Sequence, residues 1–536
     1  MQKSLILWLL LLVCAPLHAL TPTAETLRLY CETIQQGPGH SRIASVPVLT
    51  DFYARRGFRP VWDDPARTQA LLAVLESAGE HGLDPDDYHF LRLSSWPYGD
   101  ESPRQQAERD ILATDALIRY STHLYFGKLD PATLDPDWNL TRRMDNQDPV
   151  ALLEAAVAAP SLREYVDNRL APNGPFYTGL KQALADYRAI ARAGGWPSVP
   201  GGPSLKPGDE SDRVTALRAR LAVTDAEFGA HDSDSPVYDV QLQAAVRRFQ
   251  RLHGLAVDGL VGRRTLRALN VPVEVRIDQL RVNLERTRWV FRNLESRYLI
   301  VNIAGFQAYV MDHGRKVWNS RVVVGTPFRK TPVFRARLTY LVLNPTWTVP
   351  PTILKEDILP AMQRDPDYLS NQNMVLLDAA GRRVELADVD MNRLSTDYFP
   401  YVVRQEPGPK NALGRIKFMF PNEHFVYLHD TPSRGLFERA SRTFSSGCIR
   451  VEHPLTLAEL LLDDPVLWGR SRIEAQLAKR VTQTVNLRHP ITVFLVYWTA
   501  EPEADGTVRF FNDVYARDAA VLEGLNEPLR SDGGVR

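Results

Sequence analysis

The stretch FSSGCIRVEHP, Phe444 to Pro454, together with HFVYLHD just upstream, His424 to Asp430, decides how this chain is read. Ser445-Ser446-Gly447-Cys448 is a short, small, polar run. Gly447 permits backbone angles closed to other residues. Such a loop can aim successive N–H groups into one concavity, which suits a developing oxyanion. A structural cysteine sits more often in an apolar run, as a small hydrophobe. Alternation gives Ile449 and Val451 to a core and leaves Cys448 and Arg450 on the opposite face. A thiol near its ordinary pKa of about 8.5 is mostly protonated at neutral pH, so a nucleophile here needs a base. His424, His429 and His453 are near in sequence. Alternation places Phe425, Tyr427 and His429 on one face and Val426 and Leu428 on the core side. His429 lies at the strand's end, where it can reach a cleft. That pattern favours His429, with His424 and His453 as the alternatives.

Outward from this pair the chain reads as β. RYLIVNI (297–303), QAYVM (307–311), RVVVG (321–325) and LTYLVLNP (338–345) are strand-like, and DHGR (312–315) is a hairpin turn. The pattern breaks at NPTWTVPP (344–351), where a helical insertion of about 347–414 begins, and resumes at RIKFMF (415–420). PLTLAELLL (454–462) is helical; ITVFLVYW (491–498) and VRFFNDVY (508–515) are expected as a closing strand pair. Upstream, residues 20–195 are mostly helical, as in RDILATDALIRYSTHLYF (109–126) stopped by Gly127. A Gly/Pro/Ser-rich linker spans 196–210. A compact helical unit follows at 211–272, with Leu242, Ala245, Val246, Phe249 and Leu252 on one helical face. A connecting helix at 273–296 leads into a catalytic domain at 297–480, and 481–536 completes the unit. The expected class is multidomain α+β.

The 211–272 unit resembles the small three-helix peptidoglycan-binding module, through Phe249-Gln250 followed by Asp258-Gly259, Gly262 and Thr265. His429, a spacer of fifteen residues (430 to 444), then Ser445-Ser446-Gly447-Cys448-Ile449-Arg450 resembles the L,D-transpeptidase catalytic domain. The layout is similar to the large periplasmic Gram-negative members of that family. The resemblance implies an acyl transfer without cofactor or metal. Cys448 would be the nucleophile and His429 the general acid and base. Ser446 and Gly447 would shape the oxyanion loop, with Arg450, Tyr427 and Asn411 as substrate-binding candidates. The implied product is a 3→3 peptidoglycan cross-link with release of the terminal D-Ala of a tetrapeptide stem, work that belongs to cell wall biogenesis and cell shape. The alternatives are hydrolysis of the same peptides, as an L,D-carboxypeptidase, and an inactive wall-binding scaffold. One departure stands out: Ser446 occupies the place of the family's usual histidine before Gly-Cys. The insertion sits where a lid over the cleft would sit.

Among the 536 residues, Lys+Arg and Asp+Glu balance at 64 each, so no global field draws in nucleic acid or anionic lipid. Expected partners are peptidoglycan stem peptides and glycan, together with peptidoglycan synthases. Residues 1–19 read as a signal peptide: Lys3, an apolar run from Leu5 to Val13, then Leu17-His18-Ala19. The run is short beside the ~20 apolar residues of a membrane span. The expected location is periplasmic, with an inner-membrane anchor only if the segment is uncleaved. Cys31 and Cys448 then remain, too few for a disulfide framework.

Overall fold

The structure, a computed structural model, describes residues 20–36, 43, 45–140, 147–229, 234–291, 294–390, 393–396 and 398–529. The signal-peptide reading of 1–19 lies outside the described residues.

The N-terminal region is helical and built on Pro103–Phe126. Pro103 sets the first turn, a Ser102/Gln105 capping box satisfies its N–H groups, and Gly127 follows its end. Its buried Asp110 accepts hydrogen bonds from Tyr53 Oη (2.6 Å), Val61 N (3.0 Å) and Trp62 N (2.8 Å), which fixes the preceding loop. Helices Asp212–Ala222, Val240–Leu252 and Arg263–Leu269 form the next unit around Leu217, Leu242 and Phe249. Gln250 holds its turn: Nε2 donates to Asp258 Oδ1 (2.8 Å), and Oε1 accepts from Gly259 N (2.8 Å). The Gly/Pro-rich stretch before it is packed down. Trp196 meets Tyr187 edge-on, Val199 is buried, and Leu205 bridges to Val261.

The helix Val273–Val290 is more than a connector, because it is buried on several sides. Arg288 and Glu285 form a fully buried ion pair at 2.7 Å, and Glu285 Oε1 also accepts from Leu129 N. Arg288 Nη1 donates to His81 O in the helical region, while Asn283 and Thr499 exchange hydrogen bonds in the β-rich region. One helix thus ties the two together.

Nine strands make the principal sheet: β1 (Arg297–Asn302), β2 (Gln307–Asp312), β3 (Arg315–Gly325), β4 (Phe334–Leu343), β5 (Ile416–Met419), β6 (Leu428–His429), β7 (Thr443–Ser445), β8 (Ile449–Val451) and β9 (Gln483–Val496). Their order is β7-β3-β8-β6-β5-β4-β9-β1-β2, and β2 also pairs with β3, closing the sheet on itself. The core holds Leu299, Val324, Leu341, Phe418, Leu428 and Ile449, capped by the helix Pro454–Leu462.

Two expectations change. The closing strands do not pair with each other. β9 lies between β4 and β1, while Val508–Phe510 pairs with Ala500–Pro502. The chain turns away at Trp498 and Thr499, whose N–H groups donate to the side chains of Asn302 and Asn283. HFVYLHD is strand only at Leu428–His429. Asn422 Oδ1 accepts from His424 N and Val426 N, diverting that backbone from the ladder. The insertion carries its helices and also a four-stranded sheet of its own, with Trp347–Thr348 at one edge and a core including Ile358, Met362, Leu376 and Val403.

Candidate active site

β6 and β8 run parallel, pairing Leu428 with Ile449 and His429 with Arg450. Antiparallel β5 places Lys417 opposite His429. Lys417, His429 and Arg450 therefore form a row across three strands, on the face opposite the buried Phe418, Leu428 and Ile449. Two residues back on that face lies Tyr427, whose ring centroid is 5.7 Å from the His429 ring. Cys448 enters β8 on the same face, half-buried.

Burial first, and then the Arg450 charge, push His429 down to about 3; Lys417 adds to this. The imidazole is therefore neutral at neutral pH. Its Nδ1 lies 2.5 Å from Asp430 O. A carbonyl only accepts, so Nδ1 carries the proton and Nε2 keeps a free lone pair. Asp430 thus orients the ring through its backbone. Its carboxylate is buried and accepts from Arg415 N, Thr431 N and Arg434. Gly414 makes room for that carboxylate: it sits at φ +61, and a Cβ there would come within 2.5 Å of Asp430 Cγ.

Burial raises the Cys448 thiol, against a lowering by the Tyr427 N–H and hydroxyl and by the Lys417 and Arg450 charges. The resting pair is thus neutral thiol and neutral imidazole. Sγ approaches Phe425 O at 3.9 Å, and among the described residues it makes no hydrogen bond to His429. Phe425 is held at φ 54 with 83% exposure, a strained backbone for a bulky residue.

The loop before Cys448 is braced on both sides. Ser445 Oγ accepts from Gly447 N (3.2 Å) and donates to Cys448 O (2.5 Å). Thr331 Oγ1 donates to Gly447 O at 2.8 Å. Gly447 sits at φ +114, which only glycine adopts readily. With Gly447 N engaged, the N–H groups of Ser446 and Cys448 make no hydrogen bond among the described residues, so the loop offers them to a ligand oxygen. Tyr515 supports the brace from the C-terminal segment, donating to Gly325 O (2.6 Å) and accepting from Thr331 N (3.2 Å).

Ser446 is exposed, and its Oγ accepts from Arg329 Nη1 at 2.7 Å. Arg329 also binds Asp357 (3.0 Å) and Glu356 of the insertion. Trp347, at the insertion's first strand, places its side chain beside Tyr427. The insertion thus touches the thiol's surroundings at two points. Arg450 has no carboxylate partner among the described residues, and its buried Nε has no hydrogen bond. Lys417 lies over the Tyr427 ring at 3.8 Å. These two cations leave the cleft wall ready for an anion.

Asn411 is corrected. It is 1% exposed; its Nδ2 donates to Pro345 O and Glu406 O, and its Oδ1 accepts from Leu413 N. The amide is consumed by its own loop and cannot reach a substrate. His424 packs on Phe334 (4.8 Å) beside Asp137, and His453 is solvent-facing, so neither joins this face. Cys31 is buried in the helical region, and both described cysteines are free thiols.

Residues 296–487 match the family described as "L,D-transpeptidase catalytic domain". The chain carries an L,D-transpeptidase catalytic domain. Residues 210–269 match the "Putative peptidoglycan binding domain", and 47–184 match a "Scaffold domain". A Haemophilus influenzae protein named "Putative L,D-transpeptidase" is 37% identical over 277 residues, which are 50% of this chain and 55% of that relative. The matched stretch thus spans about half the relative's length. A solved L,D-transpeptidase structure from Stackebrandtia nassauensis is similar at 12% identity and TM-score 0.22. It covers 56% of this chain and 96% of that one. Another, from Xylanimonas cellulosilytica, has 16% identity, TM-score 0.17 and coverages of 55% and 99%.

Proposed function

We propose that this protein is a peptidoglycan L,D-transpeptidase acting outside the cytoplasm, with Cys448 as nucleophile and His429 as general acid and base. The observation that carries the reading is the parallel β6–β8 pair. With Lys417 on neighbouring β5, it puts a neutral histidine with a free Nε2, a thiol and two unpaired cations on one face.

The reaction then runs as acyl transfer. Sγ turns from Phe425 O toward Nε2 as substrate enters; such contacts commonly tighten only in the complex. His429 Nε2 takes the thiol proton while Sγ bonds to the carbonyl carbon of the stem's third residue. The N–H groups of Ser446 and Cys448 receive the oxyanion. The bond to the terminal D-Ala nitrogen breaks, and that amine leaves with the proton from Nε2. An amine of a second stem gives its proton to Nε2, attacks the thioester carbon and expels the Cys448 thiolate, which recovers the proton. The product is a 3→3 cross-link. Arg450 and Lys417 face the carboxylates of the donor stem, for which a guanidinium fork is suited. Both cations sit within electrostatic reach of Cys448.

The test is incubation of the full chain with disaccharide-tetrapeptide, followed by mass analysis. Cross-linked dimer with free D-Ala is expected, and none with Cys448→Ala. Tripeptide as the sole product would make the protein a carboxypeptidase. Parent and variant giving the same mixture would leave only a binding scaffold.

A further inference from the structure

A second site lies between the peptidoglycan-binding module and the catalytic domain. The two meet at a rigid floor. His253 stacks on Phe249 (3.8 Å) and lies over Phe510 (5.8 Å), and the Arg276 guanidinium covers Phe510 at 4.7 Å. Beside this floor opens a cleft of about 1150 Å³. Its lining includes eight arginines and one carboxylate, Asp258. That carboxylate is already taken by Gln250 Nε2 and Leu260 N. The chain as a whole is neutral, so this is a local concentration of charge.

The module wall presents Arg251, Arg263, Arg264 and Arg267, all exposed. Among the described residues none of the four has an ion-pair or hydrogen-bond partner. The catalytic wall presents Arg442 and Arg509. Arg442 is nearly buried over Phe306 (5.3 Å) and donates to the carbonyls of Val322, Arg439 and Phe306, with no carboxylate in contact. The neighbouring Glu438 and Glu452 are both bound by Arg321. Arg509 reaches Glu503 only at 3.5 Å, and its buried Nε has no hydrogen bond. Among the described residues of the cleft, acidic groups reach only Arg321 and Arg509 directly, and Asp505 lies near Arg251; the remaining like charges make a surface that an anionic ligand would complete.

The anion's class follows from the walls. One belongs to a module matched as peptidoglycan-binding, and the other runs through Ala440–Arg442 directly into β7 and the Cys448 loop. Arg442 and Cys448 are six positions apart, at most about 20 Å of extended chain. We infer that this cleft holds a carboxylate-bearing stem peptide of the wall polymer, on the same strand that feeds a neighbouring stem to Cys448. Guanidinium forks match carboxylates in pairs, which favours stem carboxylates over bare glycan. The inference rests on the proposed function for its choice of ligand.

The test uses the full chain carrying Cys448→Ala, which removes covalent capture, and purified sacculi in a sedimentation assay. Arg264→Glu with Arg267→Glu is expected to weaken retention roughly tenfold, two ion-pair losses plus repulsion. Arg509→Gln, on the opposite wall, should weaken it also. Sacculi stripped of stem peptides by an amidase should bind the parent poorly. Equal binding to stripped and intact sacculi, or unchanged retention by both wall variants, would overturn the inference. So would tighter binding to a single-stranded oligonucleotide than to sacculi. With Cys448 intact, the parent should process soluble disaccharide-tetrapeptide. A parent inactive in that assay would count against the proposed function while leaving the binding result to judge the cleft.

Discussion

At the scale of single residues, the electrostatics of the Cys448–His429 pair decide which mechanism is open. A thiolate–imidazolium pair requires a lowered thiol and a raised imidazole. Here burial raises Cys448, while burial and Arg450 bring His429 down to about 3. The free protein therefore keeps both groups neutral, and in the proposed reaction the proton moves only when substrate is bound. Alkylation of Cys448 by iodoacetamide should then climb roughly tenfold per pH unit from pH 6 to 8, following the thiolate fraction. A rate that is flat over that range would show a preformed ion pair and sink this account. Ser446, the departure from the family pattern, is no base at all: its hydroxyl accepts from Arg329, so its position serves the loop's link to the insertion. That Cys448 and His429 share a face is legible in the sequence because a period-two pattern marks it, and the fifteen-residue spacer between them resembles the family's. Lys417 was open to the same reading, since Ile416 and Phe418 alternate with it toward the core. Asn411 reads as a ligand only because loop polarity does not reveal that its amide is spent on Pro345, Glu406 and Leu413.

At the scale of elements, the insertion is the piece whose contacts alternation could not reveal. Its start is marked by the prolines after Trp347, and its length by where β5 resumes. Its own sheet is built from strands of two to four residues, too short for a period to show. Arg329 and Trp347 meet the site only through tertiary contact, across sequence separations that no local pattern bridges. The Arg329 bridge to Asp357, Glu356 and Ser446 latches the insertion over the catalytic loop. These are partly exposed ion pairs, so their contribution to stability is at most about 1 kcal/mol. In the proposed reaction, their effect belongs instead to water exclusion around the thioester. Arg329→Ala is therefore expected to leave the unfolding temperature almost unchanged while raising the ratio of tripeptide to cross-linked dimer several-fold in the disaccharide-tetrapeptide assay. A variant with the parent's product ratio would remove the latch from the mechanism.

Across the described residues, three histidines held below their ordinary value set how the molecule meets acid. His81 lies against Tyr177 in the helical region, His253 at the junction of module and catalytic domain, and His429 in the sheet. Burial is the leading cause in each: His81 is lowered to about 4, His253 well below its ordinary value and His429 to about 3. The unfolded chain keeps them near 6.5. Below that pH the unfolded state binds protons that the native state refuses, so stability is full above about 6.5 and falls toward pH 4. At pH 5.5 each ring contributes a loss on the order of 1 kcal/mol relative to pH 7.5. Buried Asp110 and Glu501, whose burial raises them, act in the opposite sense and soften the decline. Lowered carboxylates such as Asp167 lose their contribution only at more acid pH. The measurable consequence is an unfolding temperature several degrees lower at pH 5.5 than at 7.5. His253 is the ring to vary, since it stacks between Phe249 and Phe510 and touches neither Cys448 nor His429. His253→Phe keeps the stack, gives up the Nδ1–H bond to Phe249 O and removes the proton site. Its unfolding temperature should therefore change less between the two pH values than the parent's does. Identical slopes in calorimetry would mean that the acid response comes from groups other than these rings.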